Sequence, residues 1–158
     1  MSWAHADQPV VERLMSRLRP ELESLAGMRV KLWSDSEIHL GDDWRREILA
    51  RLDECDYALA LISPHYITRP FIVEEEIPRI AGSQAVTWVL PVGLKPVSFD
   101  GSRDLHGLEI PQSYLHRASS GRDRFFSELT TPAAQDNFAA KLATRIRHRI
   151  LRDVGRAP

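Results

Sequence analysis

The sequence has a single cysteine, no long apolar run and almost no net charge, and each of these features excludes a class of protein. A lone Cys55 cannot form an internal disulfide, which excludes the disulfide-stabilised secreted domains. No stretch is apolar for long enough to be a signal peptide or a membrane-spanning helix. We therefore expect a cytoplasmic protein without membrane contact.

The charge balance gives no reason to expect a nucleic-acid partner. The 21 lysines and arginines face 22 aspartates and glutamates, and a net charge of −1 does not attract a polyanion. Residues 145–152 are locally basic, but on a helix their arginines would lie opposite the apolar residues, which is typical of a solvated face. With 43% hydrophobic and 27% charged residues, the chain is predicted to fold as one domain over residues 1–152, with a short tail at 153–158.

The common catalytic and metal-binding motifs are also missing. There is no glycine-rich phosphate loop, no G-x-S-x-G turn, and no H-E-x-x-H or C-x-x-C pattern. The spacing of His5, His39 and His65 matches no metal-ligand motif. We expect neither a metal nor a bound cofactor.

Apolar spacing predicts alternating helices and strands at the start of the chain. Residues 8–25 repeat apolar side chains at helical spacing, and Pro20 is expected to kink or split that helix. Residues 28–33 alternate apolar and basic side chains, as a half-covered strand does. A helix from position 42 or 43 to about 55 would carry Trp44, Ile48 and Leu52 on one face.

The rest of the chain continues the same rhythm. The unbroken apolar run 57–62 predicts a strand buried on both faces, and residues 85–90 predict another strand, stopped by Pro91. The last helix spans 138–150, while 96–131 stays unassigned apart from one short helix and an edge strand near 114–116. This pattern predicts a flavodoxin-like, doubly wound α/β fold with a mostly parallel sheet flanked by helices.

In such a fold, the carboxyl ends of the strands carry the ligand site. Three loops are expected there, at residues 2–7, 34–41 and 63–66, and they form a polar, partly aromatic rim that suits a planar or sugar-containing ligand. The rim residues are Ser2, Trp3, His5, Asp35, Glu37, His39, Ser63, His65 and Tyr66.

Three consecutive glutamates after a short apolar run are the strongest chemical signal. If an α-helix begins near Phe71, Glu75 lies one turn along on the same face, and Glu74 and Glu76 turn away. A single carboxylate would then stand beside an aromatic ring. The alternative is that all three simply stabilise the positive end of a helix dipole.

Several of these segments together resemble a bacterial Toll/interleukin-1 receptor (TIR) domain. They are LWSDSEIHLG at 32–41, the Trp44, Ile48 and Leu52 face, the apolar strand followed by SPHY at 63–66, and FIVEE at 71–75. The resemblance is dense from residue 2 to about 80 and looser beyond, where VLPV at 89–92 and the last helix are similar to the family's later elements.

The resemblance implies a function for two of these regions. In TIR domains the loop that here contains Asp35, Glu37, Ile38, Leu40 and Gly41 is the BB loop, which makes contacts between TIR domains. Many bacterial members hydrolyse NAD with a glutamate four residues after an aromatic residue, which selects Glu75 after Phe71, with Glu76 as the rival if the register differs by one.

An NAD glycohydrolase acting in bacterial, anti-phage defence or cell-death signalling is therefore the leading hypothesis. It would release nicotinamide and ADP-ribose, or a cyclic form, when TIR domains assemble, and NAD would be a substrate rather than a cofactor. By the same analogy, the substrate would be bound by Ser2, Trp3, Ser63, Tyr66 and Phe71.

The sequence departs from the family pattern at two places, and it is also compatible with two other functions. Members usually begin with a hydrophobic central strand, which here would be truncated, and Phe71 replaces the commoner tryptophan. The chain is thus expected to be part of a longer protein with a sensor or effector domain. The alternatives are a non-catalytic TIR interaction module and an unrelated flavodoxin-like nucleotide-binding domain.

Overall fold

The computed structural model describes residues 1–38, 41–81, 85, 87–108, 113–117 and 121–155. Between residues 44 and 93 helices and strands alternate, as predicted for an α/β fold. The α-helices are α1 (Gln8–Glu23), α2 (Trp44–Glu54), α3 (Ile77–Ala81) and α4 (Pro132–Val154); the strands are β1 (Tyr57–Ile62), β2 (Trp88–Gly93), β3 (His116–Arg117) and β4 (Asp123–Arg124).

The central sheet consists of β1 and β2, which pair in parallel along their whole length. One parallel bridge extends the sheet on each side: Ser2 lies beside Ala60 of β1, and Tyr114 lies beside Val92 of β2. The order across the sheet is therefore Ser2, β1, β2, Tyr114. The predicted parallel α/β arrangement is confirmed.

Strand β1 is buried on both faces because its alternating side chains enter two separate cores. Leu59 and Leu61 pack with α1 and α4 on one face. Ala58, Ala60 and Ile62 pack with α2 and α3 on the other. This two-sided burial is the physical reason for the unbroken apolar run in the sequence.

The helices α1 and α4 pack together over one face of the sheet. Their apolar residues at helical spacing are buried as predicted, and Pro20 lies inside α1 without splitting it. The helix continues to Glu23 and ends where the Ser24 N–H bonds back to the carbonyls of Pro20 and Leu22. α4 continues past position 152 to Val154.

The predicted strand at 28–33 is not formed, so this expectation is wrong. Val30 and Leu32 still pack against the core shared by α1 and α4. A cavity of about 390 Å³ lies between the segment and Tyr57 and Leu59 of β1. Pairing needs strands within about 5 Å of each other, so the segment has no strand partner there.

Strand β2 also differs from the prediction, because it continues through Pro91 to Gly93. The Pro91 carbonyl and the Gly93 N–H both bond to Tyr114, on the side away from β1. In a parallel strand the nitrogen of Pro91 faces that same outer side, so its missing N–H removes nothing from the pairing with β1. Val86, within the strand predicted at 85–90, lies outside the described residues.

The region left unassigned at 96–131 folds partly as a small hairpin. β3 and β4 pair antiparallel, next to the Tyr114 bridge, so an extended segment near 114–116 is confirmed. A 3₁₀ turn at Phe126–Glu128 buries Phe126 against the core shared by α1 and α4. In the described part of the chain, no helix combines the length and apolarity needed to cross a membrane.

Gly93 offers a test of this packing at the end of β2. A Cβ built there would lie 2.8 Å from Phe125 Cδ1 and would also overlap the Leu115 side chain. We expect Gly93→Ala to lower the free energy of unfolding by about 1–3 kcal/mol, measured by urea denaturation. Gly155→Ala adds the same methyl group at the exposed end of α4 and is the matched control; equal losses in the two variants would contradict the packing.

Candidate functional site

A cavity of about 350 Å³ lies between the first residues of the chain, the start of α2 and a short helix that precedes α3. This volume is near the lower end for small-molecule sites in proteins. Five aromatic side chains line it, together with a few charged groups. The aromatic residues are Trp3, His5, Trp33, Trp44 and Phe71.

The short helix before α3 sets which glutamate faces the cavity. It is a π-helix spanning Ile72–Glu76, in which the N–H of Ile77 donates to the carbonyl of Ile72, five residues back. Pro78 has no N–H to donate to the carbonyl of Glu74, so a regular α-helical ladder cannot continue here. The wider turn brings Glu76 into the cavity wall, together with Phe71.

Glu75, which the resemblance to TIR domains selects, does not line the cavity. Its carboxylate forms an ion pair with Arg45 of α2. The Arg45 guanidinium also lies over the Phe71 ring, 5.5 Å from its centroid. Phe71 and Glu75 therefore both contact Arg45, as residues on one side of a helix do, but of these two only Phe71 lines the cavity.

Glu76 is the buried carboxylate of the site, with 5% of the residue exposed. Burial raises its pKa from the usual 4.5 to about 7, because a buried carboxylate loses its hydration when ionised. The hydroxyl of Ser2 and the amino group of Met1 act in the opposite direction and lower the pKa, while Asp35 raises it further.

Ser2 connects Glu76 to the protein interior. Its hydroxyl donates to Glu76 Oε2 at 2.5 Å and lies 2.7 Å from the hydroxyl of Tyr66. Ser2 is 2% exposed and lines the cavity, while Tyr66 is fully buried. Tyr66 is not among the cavity-lining residues, and its predicted direct contact with substrate is not supported by this position.

One wall of the cavity is an aromatic pair held by Asp35. The rings of Trp3 and His5 stack with centroids 5.0 Å apart and planes inclined by 13°. Trp3 Nε1 donates to Asp35 Oδ1 at 3.1 Å, and His5 Nε2 lies 2.6 Å from Asp35 Oδ2. The carboxylate therefore fixes both rings, and the predicted rim residues Ser2, Trp3, His5 and Asp35 are brought together.

The mouth of the cavity holds residues that sequence reasoning did not assign to the site. Trp44 was expected on the buried face of α2 with Ile48 and Leu52, but it is 53% exposed and packs edge-on against Phe71, with centroids 4.9 Å apart. Arg69 also lines the cavity. Its position directly before Pro70 and Phe71 is the one sequence signal that could have drawn attention to it.

Ser63, which was predicted to contact substrate, lies outside the cavity and hydrogen-bonds to other residues of the protein interior. It is fully buried, donates to Asp7 Oδ2 and accepts the backbone N–H of Tyr66. Lys95 Nζ lies 2.6 Å from Asp7 Oδ1. This cluster ties the start of α1 to the carboxyl ends of both central strands, outside the cavity.

The loop predicted as a BB loop is described in part. Asp35 and Glu37 lie in a 3₁₀ turn, Glu37 accepts the Ser34 N–H at 3.2 Å, and Ile38 packs at the edge of the core shared by α2 and α3. Gly41 has a φ of 99°, which favours glycine. Leu40 and His39 lie outside the described residues.

A metal site is not evident in the described part of the chain, where no three ligating side chains cluster. Of the three candidate histidines, His5 pairs with Asp35, His65 is exposed and His39 lies outside the described residues. Two carboxylates line the cavity beside the aromatic rings, Asp35 and the buried Glu76.

Comparison with known proteins gives one match. The family model described as TIR domain matches residues 1–129. No curated protein and no solved structure matches the chain.

The buried position of Glu76 predicts a pH-dependent stability. Since its pKa is near 4.5 when unfolded and about 7 when folded, the folded state binds the proton more tightly, and stability falls as pH rises between these values. We expect the stability gain of Glu76→Gln over wild type to grow by about 2–3 kcal/mol from pH 5 to pH 8, measured by denaturant unfolding. Glu75→Gln is the matched control, and a pH-independent gain at Glu76 would contradict the prediction.

Proposed function

Because the chain belongs to the TIR domain family, a family of signalling modules that generally interact with one another, we propose that it is an NAD glycohydrolase with Glu76 as its catalytic carboxylate. The observation that carries the proposal is a single buried carboxylate in the wall of a small aromatic cavity. The products would be nicotinamide and ADP-ribose, or a cyclic form.

The chemistry of this cleavage suits one carboxylate. When the bond between nicotinamide and ribose breaks, its electron pair goes to the nicotinamide nitrogen, which leaves as a neutral group and needs no acid. Positive charge develops on the ribose, and an ionised Glu76 beside it would stabilise that charge in a site with little water. Water then attacks the ribose carbon and releases a proton.

The cavity wall also suits the charge and shape of the nicotinamide ring of bound NAD. The nicotinamide ring of NAD is planar and positively charged, and aromatic faces attract such cations. Trp3 and Phe71 would border the base or the ribose, with Trp44 at the mouth. The carboxylate of Asp35, which orients Trp3, adds a second negative charge near the ring.

Arg69 would contact the phosphates of the substrate. It is exposed, it lines the cavity, and it has no ion-pair partner among the described residues. A cavity of about 350 Å³ is large enough for nicotinamide and ribose, so the diphosphate would lie at the mouth, where a guanidinium can bind it in bidentate fashion.

The proposal also includes how the protein assembles and in which biological process it acts. Contacts through the segment that includes Asp35, Glu37, Ile38, Leu40 and Gly41 would join TIR domains and activate NAD cleavage. The protein would act in the cytoplasm in bacterial defence or cell-death signalling. A TIR module that assembles without turnover is the alternative, and the same experiment separates the two.

The first test compares Glu76→Gln with Glu75→Gln. With purified protein at high concentration and NAD as substrate, nicotinamide and ADP-ribose are measured by chromatography. We expect Glu76→Gln to lower kcat by about 10²–10³-fold, because it removes the charge that stabilises the transition state. Glu75→Gln removes an equal charge outside the cavity and should retain activity within a few-fold.

Circular dichroism of both variants controls for folding. Loss of activity in Glu75→Gln with activity retained in Glu76→Gln would reverse the assignment. A wild-type protein that self-associates but releases no nicotinamide, even when tethered into assemblies, would favour the interaction module.

The second test separates the phosphate contact from the chemistry. Arg69→Ala is expected to raise KM for NAD by about tenfold with little change in kcat, because one charge-assisted contact is lost. Nicotinamide riboside lacks both phosphates, so its cleavage should be the same in wild type and variant. Equal losses for both substrates would show that Arg69 acts on the fold or on the chemistry instead.

A further inference from the structure

Tyr66 is the largest fully buried side chain of the described residues, and its hydroxyl lies next to the candidate active site. It follows β1 in a 3₁₀ turn at Tyr66–Thr68. Its backbone N–H donates to Ser63 Oγ at 3.0 Å, and its phenol oxygen lies 2.7 Å from Ser2 Oγ. The residue is therefore held at both its backbone and its ring end.

The direction of the hydrogen bonds follows from counting protons. Ser2 has one hydroxyl proton, and it donates that proton to Glu76 Oε2 when Glu76 is ionised. The contact between the two hydroxyls then requires Tyr66 to donate to Ser2. Burial raises the pKa of Tyr66, so the phenol keeps the proton it must donate.

The two hydroxyls oppose the effect of burial on Glu76. Other groups also act on this carboxylate: the amino group of Met1 and His5 favour its ionised form, while Asp35 disfavours it. The Ser2 hydroxyl makes a direct hydrogen bond to the Glu76 carboxylate. Because this hydroxyl also accepts a hydrogen bond from Tyr66, it donates more strongly to Glu76.

We propose that Tyr66 and Ser2 form a donor chain that fixes Glu76 Oε2 in place and favours the ionised carboxylate, which makes both of them positioning residues. The consequence for catalysis rests on the proposed function, in which the ionised form of Glu76 stabilises the ribose cation. The hydrogen-bonding role itself does not depend on turnover.

The test uses Tyr66→Phe, which removes only the phenol oxygen, and Ser2→Ala, which removes the direct donor. The titration of Glu76 is followed by NMR on protein with ¹³C-labelled glutamate, with the signal assigned by its absence in Glu76→Gln. In parallel, kcat/KM for NAD is measured against pH, which reports the essential group of the free enzyme.

We expect the Glu76 midpoint to move upward by about half to one pH unit in Tyr66→Phe, and by about one to two units in Ser2→Ala. The acid limb of the kcat/KM profile should move by the same amounts. NAD cleavage would then fall by about 3–10-fold at pH 6 in Tyr66→Phe and recover at high pH.

Tyr57→Phe is the matched control. It also removes one phenol oxygen, but this hydroxyl donates to Asp153 of α4 at 3.1 Å, away from the cavity. Its titration and pH profile should coincide with those of wild type. Ser2→Ala keeps the test decisive if Tyr66→Phe fails to fold.

Midpoints that match wild type in both Tyr66→Phe and Ser2→Ala would overturn the proposal, even if both variants were less stable or uniformly slower. A wild-type protein that cleaves no NAD, combined with the expected NMR shifts, would reject the proposed function and leave the donor chain standing. The two ideas therefore fail through different measurements.

Discussion

The parallel pairing of Ser2 with β1 is the contact on which the candidate site depends. The Ser2 N–H donates to the Leu59 carbonyl at 2.9 Å, and its carbonyl accepts the Leu61 N–H at 3.0 Å. These bonds fix the backbone of Ser2 on the most buried strand of the sheet. The same residue bonds to Glu76 through its side chain, so the sheet directly places the carboxylate.

The two-sided burial of β1 gives the strand two differently covered faces. One face is covered by the long helices α1 and α4, and Leu59 on this face borders the 390 Å³ cavity beside residues 28–33. The other face is covered by the shorter helices α2 and α3, and Ile48, Ile72 and Phe71 from this side also line the cavity. The site therefore lies on the face where the covering elements are short and irregular.

Much of the fold could be predicted from the sequence, because apolar spacing reflects burial. The apolar run at 57–62 matched β1, and the four-residue spacing of Phe138, Leu142 and Ile146 matched α4. The segment at 28–33 shows the limit of this reasoning. Its alternating pattern is real, but a strand also needs a neighbour, and only Ser2 among the described residues bridges that edge of β1.

The site was less predictable because it depends on local geometry rather than on burial. Trp44 has the spacing of a buried helix residue, and only the packing around it shows that it lies exposed at the mouth of the cavity. The resemblance selects the glutamate four residues after Phe71, which is one turn of an α-helix, but this segment holds a π-helix and the cavity is lined by Glu76. Pro78 was the available signal, since a residue without an N–H interrupts an α-helical ladder.

The π-helix at Ile72–Glu76 has a consequence for how this chain is aligned with other TIR domains. A π-helix of this kind is equivalent to one residue inserted into an α-helix, because it adds a residue without adding a turn. In a relative with a regular α-helix, the residue that matches Glu76 in space therefore stands one position earlier in the sequence. An alignment written without a gap would pair that residue with Glu75, and a correct one opens a single-residue gap between Phe71 and Glu76.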